Sequence, residues 1–337
     1  MKRWARKSKS LIIAYKIFQN WQMRRRFASG DTETEHGSTH SGKTLDESLR
    51  YIEEQFQDYL TYGRLNGDQL RGKKILELGF GDNVGVALRF LSAGAAKVIC
   101  IDKFSSKRDE AREREIYSAL REKLSPDEKE RFDEAVDLAG GISFDASRIS
   151  YTRGLDLEPA AKAMQIPEGF FDIIISRAVI EEIYDPAAVF AQADKLLAPG
   201  GLMLHKIDLS DYGIFADGGM HPLTFLTISE SVYRLMASDS GIPNRKLIGY
   251  YRKQMRELDY DAGFFVTSIV GHGPVVPHKE VKELDNGYSR SALPVINEIR
   301  ARLAPEYRRM TSEELMIRGV FIAARKPART ESRSRPN

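Results

Sequence analysis

An apolar run that breaks at once into a glycine turn constrains the fold of this chain more than any other feature. Lys74-Ile75-Leu76-Glu77-Leu78 is followed by Gly79-Phe80-Gly81-Asp82-Asn83-Val84-Gly85 and then by an apolar helical stretch from Val86 to Leu91. Glycines at such a turn let the backbone bend sharply and leave bare main-chain N–H groups for a ligand to lie against. Similar runs return at Lys97–Ile101, Ile149–Thr152, Phe171–Ser176 and Leu202–Ile207, with room for crossover helices between them. Strands buried on both faces read as near-continuous apolar runs, so the pattern predicts a parallel sheet covered by helices on each side. Phe264–Val270 and Gly319–Ala324 complete an expected seven-stranded, mostly parallel α/β sheet.

The segments around these strands divide the chain. Residues 1–26 carry nine Lys and Arg (Lys2, Arg3, Arg6, Lys7, Lys9, Lys16, Arg24, Arg25, Arg26) and no acid, which leaves 42 basic against 48 acidic residues in the remainder, a net of about −6. An acidic body is a poor polyanion binder, so a nucleic-acid partner is not expected. Ala28 to Lys43 is almost without apolar residues and reads as a linker, giving a basic N-terminal segment and linker over 1–43, a main domain over 44–326 and a disordered tail over 327–337. Leu45–Leu65 has the apolar spacing of an amphipathic helix. Helical insertions are expected at about 105–148, where Ser125-Pro126-Asp127-Glu128 is a helix start, and at about 222–260. The lone Cys100 excludes a disulfide framework and a Cys-rich zinc site, so no metal centre is expected and the cytoplasm is the default compartment. No apolar stretch in 1–26 approaches the roughly 20 residues of a membrane span, and no A-x-A cleavage site follows it.

The glycine turn carries its own acids. Glu77 stands just before it, placed to organise the turn or to hold a positively charged ligand. The next strand ends in Asp102, about 20 residues beyond the glycines, where an acid accepts both ribose hydroxyl hydrogens. Gly79, Gly81 and Asp102 together suggest an adenosyl ligand. A nicotinamide fingerprint calls for Gly at position 84, where this chain has Val84. Further on, Phe171–Ser176 runs into Arg177-Ala178-Val179-Ile180-Glu181-Glu182-Ile183-Tyr184. Asp185 then caps a helix with Pro186 at its first position, and Val189, Phe190, Ala193, Leu196 and Leu197 form one face before Pro199-Gly200-Gly201 ends it.

From Gly72 to Asp208 the chain resembles the class I S-adenosylmethionine-dependent methyltransferases. The resemblance rests on E-L-G-F-G-D at the first motif, I-C-I-D at the second, F-D-I-I-I-S-R-A-V-I-E-E-I at the fourth and L-L-A-P-G-G before the fifth strand. It implies a Rossmann-like fold, S-adenosyl-L-methionine as cofactor and methyl transfer as the activity. Carried over residue by residue, it places Gly79 and Gly81 under the methionine moiety, Asp102 on the ribose and Asp156 on the adenine amine. With Glu77 and Arg177 these form the expected cofactor-contacting set, and Arg177 is also placed to clamp an anionic acceptor. Two positions depart from the family pattern: Asn83 replaces a third glycine, and Glu182 replaces the His of V-L-E-H.

Methyl transfer needs a base only where the acceptor must lose a proton. His205, near the end of the fifth strand, and His221, in the glycine-rich loop beyond it, are the candidate catalytic residues, since imidazole titrates near neutral pH. Strand alternation turns only one of His205 and Lys206 toward the cleft. Tyr250 and Tyr251 are candidates for the acceptor pocket or the core, and Glu181 and Glu182 read as the exposed face of a turn. The expected reaction is methylation, at oxygen, of a small-molecule, sugar or lipid-linked glycan acceptor. The competing readings are a nucleic-acid or protein methyltransferase, which the missing N-P-P-Y or D-P-P-Y motif and the acidic body disfavour, a nicotinamide-dependent reductase, and a non-catalytic adenosyl-binding protein. Trp4, Leu11, Ile12, Ile13, Tyr15, Phe18 and Trp21 fall near one broad helical face among cations, the pattern of peripheral membrane contact; a terminal helix docked on the body is the alternative.

Overall fold

A computed structural model of the chain describes residues 7–34 and 39–328. Lys2, Arg3, Trp4 and Arg6, residues 35–38 of the expected linker and the expected disordered tail beyond 328 lie outside the described residues.

The strands are β1 (Lys74–Leu78), β2 (Lys97–Asp102), β3 (Ile149–Arg153), β4 (Phe171–Arg177), β5 (Leu197–Asp208), β6 (Asp261–Ile269), β7 (Gly273–Glu280) and β8 (Ile317–Arg325). They form one sheet of eight strands in the order β7-β6-β8-β5-β4-β1-β2-β3. β1 to β5 run parallel, while β8 is antiparallel to both β5 and β6, and β7 closes a hairpin on β6. The Rossmann-like expectation is met with one strand more than the seven expected. The additional β7 contains Pro274 and Pro277, which cannot donate to a ladder, and it survives as a strand because it lies on the sheet edge.

The main helices are α1 (Lys9–Ala28), α2 (Leu45–Gly63), α3 (Gly85–Ser92), α4 (Glu110–Glu122), α5 (Pro126–Asp133), α6 (Leu157–Ala163), α7 (Pro186–Leu196), α8 (Glu230–Ala237), α9 (Ile248–Glu257) and α10 (Asn286–Ile299). α4 and α5 fill the first inserted region and α8 and α9 the second. Local chemistry sets the helix starts. Thr44 and Glu47 form a reciprocal capping box for α2, Ser125 and Glu128 do so for α5, and the Asp185 side chain accepts from Ala187 N at 3.3 Å beneath Pro186 of α7. Each such cap contributes about 1 kcal/mol. Leu197 starts β5 instead of ending α7, so Pro199-Gly200-Gly201 lies inside a strand whose pairing with β4 shifts register between Phe171 and Ile173.

Strand side chains alternate into two cores. Leu76, Leu78, Ile99, Ile101, Ile174, Met203 and Ile207 point to the face covered by α7, α8 and α9, and Tyr251 is wholly buried there. Ile75, Val98, Cys100, Ile173, Ile175 and Leu204 point to the face covered by α2, α3 and α4. One partition matters for the site: His205 falls on the first face and Lys206 on the second.

The segment ahead of α2 is not a free tether. Glu33–Thr34 pairs in parallel with Ser105–Ser106, and the His40 backbone N–H donates to the Asp82 carboxylate at 3.0 Å, which draws this segment over the glycine turn.

Candidate active site

The strand order reverses between β1 and β4, and at that switch point the carboxyl ends of parallel strands leave a crevice for ligands. A cavity of about 700 Å³ opens there, within the range of roughly 300–1,000 Å³ usual for small-molecule sites. All six expected cofactor residues, Glu77, Gly79, Gly81, Asp102, Asp156 and Arg177, line it.

Gly79 (φ +71°) and Gly81 (φ +65°) adopt left-handed backbone conformations that side chains disfavour. A Cβ on Gly79 would stand 2.2 Å from Val179 Cγ2, in the segment that follows β4, so the crevice floor requires glycine on steric grounds as well. Asp102 is buried at the tip of β2 and accepts from Gly81 N and from Phe104 N, each at 2.9 Å, one on each carboxylate oxygen. A carboxylate oxygen accepts more than one hydrogen bond, so each keeps capacity for a ribose hydroxyl. Burial raises the Asp102 carboxyl, against the two N–H bonds that lower it. Glu77 is fixed by the Cys100 thiol, which donates to it at 3.6 Å, and burial pushes its carboxyl up to about 8. Asp156 pairs with Lys103 at 3.2 Å on the cavity rim. Arg177 donates to Asp58 at 3.1 Å, and its guanidinium lies 5.3 Å from the Tyr51 ring centroid. Asn83, which departs from a third glycine, has no acceptor for its buried amide nitrogen among the described residues but accepts from Gly85 N at 2.7 Å, taking over the turn's stabilisation.

The crevice thus presents buried carboxyls, a glycine turn and, among the described residues, an unpartnered Asn83 amide nitrogen. This is a donor and acceptor set that fits S-adenosylmethionine: acids for ribose hydroxyls and for positive charge, and a side-chain amide donor for a carboxylate.

The two candidate histidines, His205 and His221, do not line this crevice. His205 is wholly buried against Phe190 of α7, its Nδ1 sits 2.7 Å from the Ser176 hydroxyl, and burial brings its pKa down to about 3. A group so hard to protonate is a poor proton acceptor at neutral pH. Both ring nitrogens of His221 are engaged in its loop: Leu223 N donates to Nδ1 at 3.1 Å, and Nε2 donates to the Val295 carbonyl at 2.8 Å. Lys206 points to the opposite face of the sheet and donates to Asp58 at 2.7 Å.

The groups that do face the crevice on its outer side are Glu182, Tyr212 and His40. Glu181, expected on an exposed turn, is wholly buried under them; Asp208 N donates to its Oε1 at 2.8 Å and the Tyr212 hydroxyl at 2.9 Å, while Oε2 has no partner among the described residues. Burial pushes Glu181 up to about 8. Burial, then Glu181, then Asp102, push the half-buried Glu182 well above the carboxylate range. His40 is buried beside Tyr51, its Nδ1 has no partner among the described residues, and burial lowers its pKa to about 4. His40 lay in an apparent linker, and the only hint of its placement was the polar composition that makes a loop. Among the described residues no group of three His, Cys, Asp or Glu is placed to hold a metal ion.

The raised acids have a consequence for stability. Glu181 and Glu77 keep their protons to about 8 when folded but lose them near the ordinary value of about 4.3 when unfolded. Their contribution is therefore lost progressively as pH rises from about 5 to 8. We expect the melting temperature to fall across that interval and the fall to be shallower in Glu181→Gln, measured by calorimetry at constant ionic strength. Parallel slopes for the two proteins would contradict a protonated Glu181.

Fold and crevice together define a doubly wound α/β protein with a ligand-sized crevice at its switch point. The family model described as "Methyltransferase domain" matches residues 48–269, about two-thirds of the chain. The chain belongs to that family of methyltransferase domains. Among solved structures it is similar to phosphoethanolamine N-methyltransferase 2 of Haemonchus contortus at 13% identity and a TM-score of 0.41, covering 85% of this chain and 58% of that one. It is also similar to an S-adenosylmethionine-dependent methyltransferase of Mesorhizobium loti at 15% identity and a TM-score of 0.38, covering 84% of this chain and 100% of that one. No curated protein matches the chain.

Proposed function

We propose that this methyltransferase acts at oxygen on a small-molecule acceptor, a sugar or a lipid-linked glycan, with residues 1–26 in peripheral contact with a membrane. The observation that carries the acceptor reading is the presence of Glu182 in the crevice lining beside Tyr212, which donates to the buried Glu181. A carboxyl with a raised pKa is a better matched proton acceptor at neutral pH than an ordinary one. In this reading Glu182 occupies the role that an imidazole fills in relatives with V-L-E-H.

S-adenosylmethionine supplies a sulfonium-bound methyl group: the acceptor oxygen's lone pair forms the new bond to carbon while the carbon–sulfur pair leaves with sulfur. Glu182 takes the hydroxyl proton as that bond forms. Tyr212 lines the crevice with it and donates to the buried Glu181 beneath. Asp102 and the glycine turn hold the adenosyl end, and alignment supplies much of the rate of such an in-line displacement. A positive charge brought into the crevice favours the ionised form of Glu182.

The test supplies tritiated S-adenosylmethionine with separated pools of free sugars, lipid-linked glycans, RNA and protein. Label is expected in a sugar or lipid-linked glycan pool, bound through an ether that survives mild acid. Label in RNA or protein alone would overturn the acceptor reading.

A further inference from the structure

The apolar residues of α1 do not share one face. Ile12 is buried in the main core, with half-buried Ile13 and Ile17 beside it, so one side of the helix docks on the body. Leu11, Tyr15 and Phe18, at the i, i+4, i+7 spacing of one helical stripe, with Trp21 adjoining, point the other way. Phe18 is 51% and Trp21 49% exposed, far more than large aromatic residues leave open without a partner. Their rings stack at 5.9 Å, and the Arg25 guanidinium sits 4.6 Å from the Trp21 centroid. The helix contains no acidic residue, and Lys7, Arg24 and Arg25 are exposed around the stripe.

The docked side of the same helix packs behind residues that line the crevice. The Asn20 amide donates to the Ser238 hydroxyl at 3.0 Å and its carbonyl oxygen accepts from Asp239 N at 2.7 Å; Ser238 and Asp239 both line the crevice. Phe27 packs on Phe104, another lining residue, at 5.7 Å. The outward stripe therefore stands about one helix diameter, roughly 10 Å, from the crevice wall.

We infer that the outward stripe of α1 seats on an anionic bilayer surface and that the acceptor comes to the crevice from that surface as an amphiphile; the second half of this rests on the methyltransferase reading above. Aromatic rings under a cationic rim suit the headgroup level of an anionic leaflet, where apolar burial and charge attraction act together. A second copy of the chain fits the stripe less well, because across a two-fold axis the face meets itself and brings Arg24 and Arg25 toward their own copies. Among the described residues no helix is long and apolar enough to cross a membrane, so the contact lies on the surface.

The experiment is sedimentation of the full chain with phosphatidylcholine vesicles and with vesicles that also hold about one-quarter phosphatidylglycerol, at low and high salt. The comparison variant is Phe18→Ser with Trp21→Ser, two side chains about half exposed and outside the crevice lining. The wild-type chain is expected to pellet at least about tenfold more with anionic vesicles, less so at high salt, and the variant to lose this with an unchanged melting temperature. Equal pelleting of the two proteins, or binding indifferent to lipid charge, overturns the inference. So does a wild-type dimer that the variant converts to monomer without vesicles. Calorimetric titration of S-adenosylhomocysteine is run on both proteins: failure there with vesicle binding intact counts against the methyltransferase reading and leaves the bilayer contact standing.

Discussion

Replacing Asp102 by alanine is expected to weaken S-adenosylmethionine binding by roughly 1–3 kcal/mol, about 5- to 150-fold in Kd. Two effects act in the same direction. The ribose loses its acceptor, and the Gly81 and Phe104 N–H groups, each now 2.9 Å from a carboxylate oxygen, lose theirs and no longer fix the turn. Asp102→Asn separates the two. Its amide keeps one carbonyl oxygen to accept with but no second acceptor, so an intermediate loss is expected. Calorimetric titration with a melting curve for each variant decides the matter, and unchanged affinity in Asp102→Ala would remove the residue from the cofactor site.

Glu182→Gln is expected to lower turnover by about 10²-fold or more while leaving S-adenosylmethionine affinity within a few-fold, because only the proton-accepting step is lost. The pH profile carries the sharper signature. In the wild-type enzyme the rate rises with pH as the carboxyl, held above its usual range by burial and by Glu181, gives up its proton. Glutamine has no proton to lose there, and its profile should be flat over the same interval. Steady-state rates on the labelled acceptor pool give both readouts, and a variant at wild-type turnover with the wild-type profile would mean that the proton leaves by another route.

The readable part of this molecule was local in sequence. Glu77, Gly79 and Gly81 sit within five residues, and the tip of β2 follows at a fixed distance, so the strand–turn–helix geometry that brings them to one crevice is encoded where they stand. The unread part depends on which side of a doubly covered sheet a residue meets. β5 is buried on both faces, and nothing in its own residues says that His205 turns to α7 and Lys206 to α2. Glu181 looked solvated because two adjacent acids usually are; it is buried because the segment after β4 folds back under Tyr212. His40 reaches the crevice through contacts distant in sequence, among them the pairing of Glu33–Thr34 with Ser105–Ser106 and a bond to Asp82. The split of α1 into a docked and an outward side was equally invisible, since both sides are apolar.

The position of β8 bears on how the chain comes to its fold during synthesis. β8 lies between β5 and β6, so the β6–β7 hairpin joins the sheet only through residues 317–325. Until those residues have left the ribosome, β5 and β6 both present unpaired edges, which attract foreign strands. A nascent chain stalled after the hairpin would thus hold a nearly complete cofactor crevice on an open sheet. The interval between translation of β6 and of β8 is where a chaperone, or aggregation, would first find this protein.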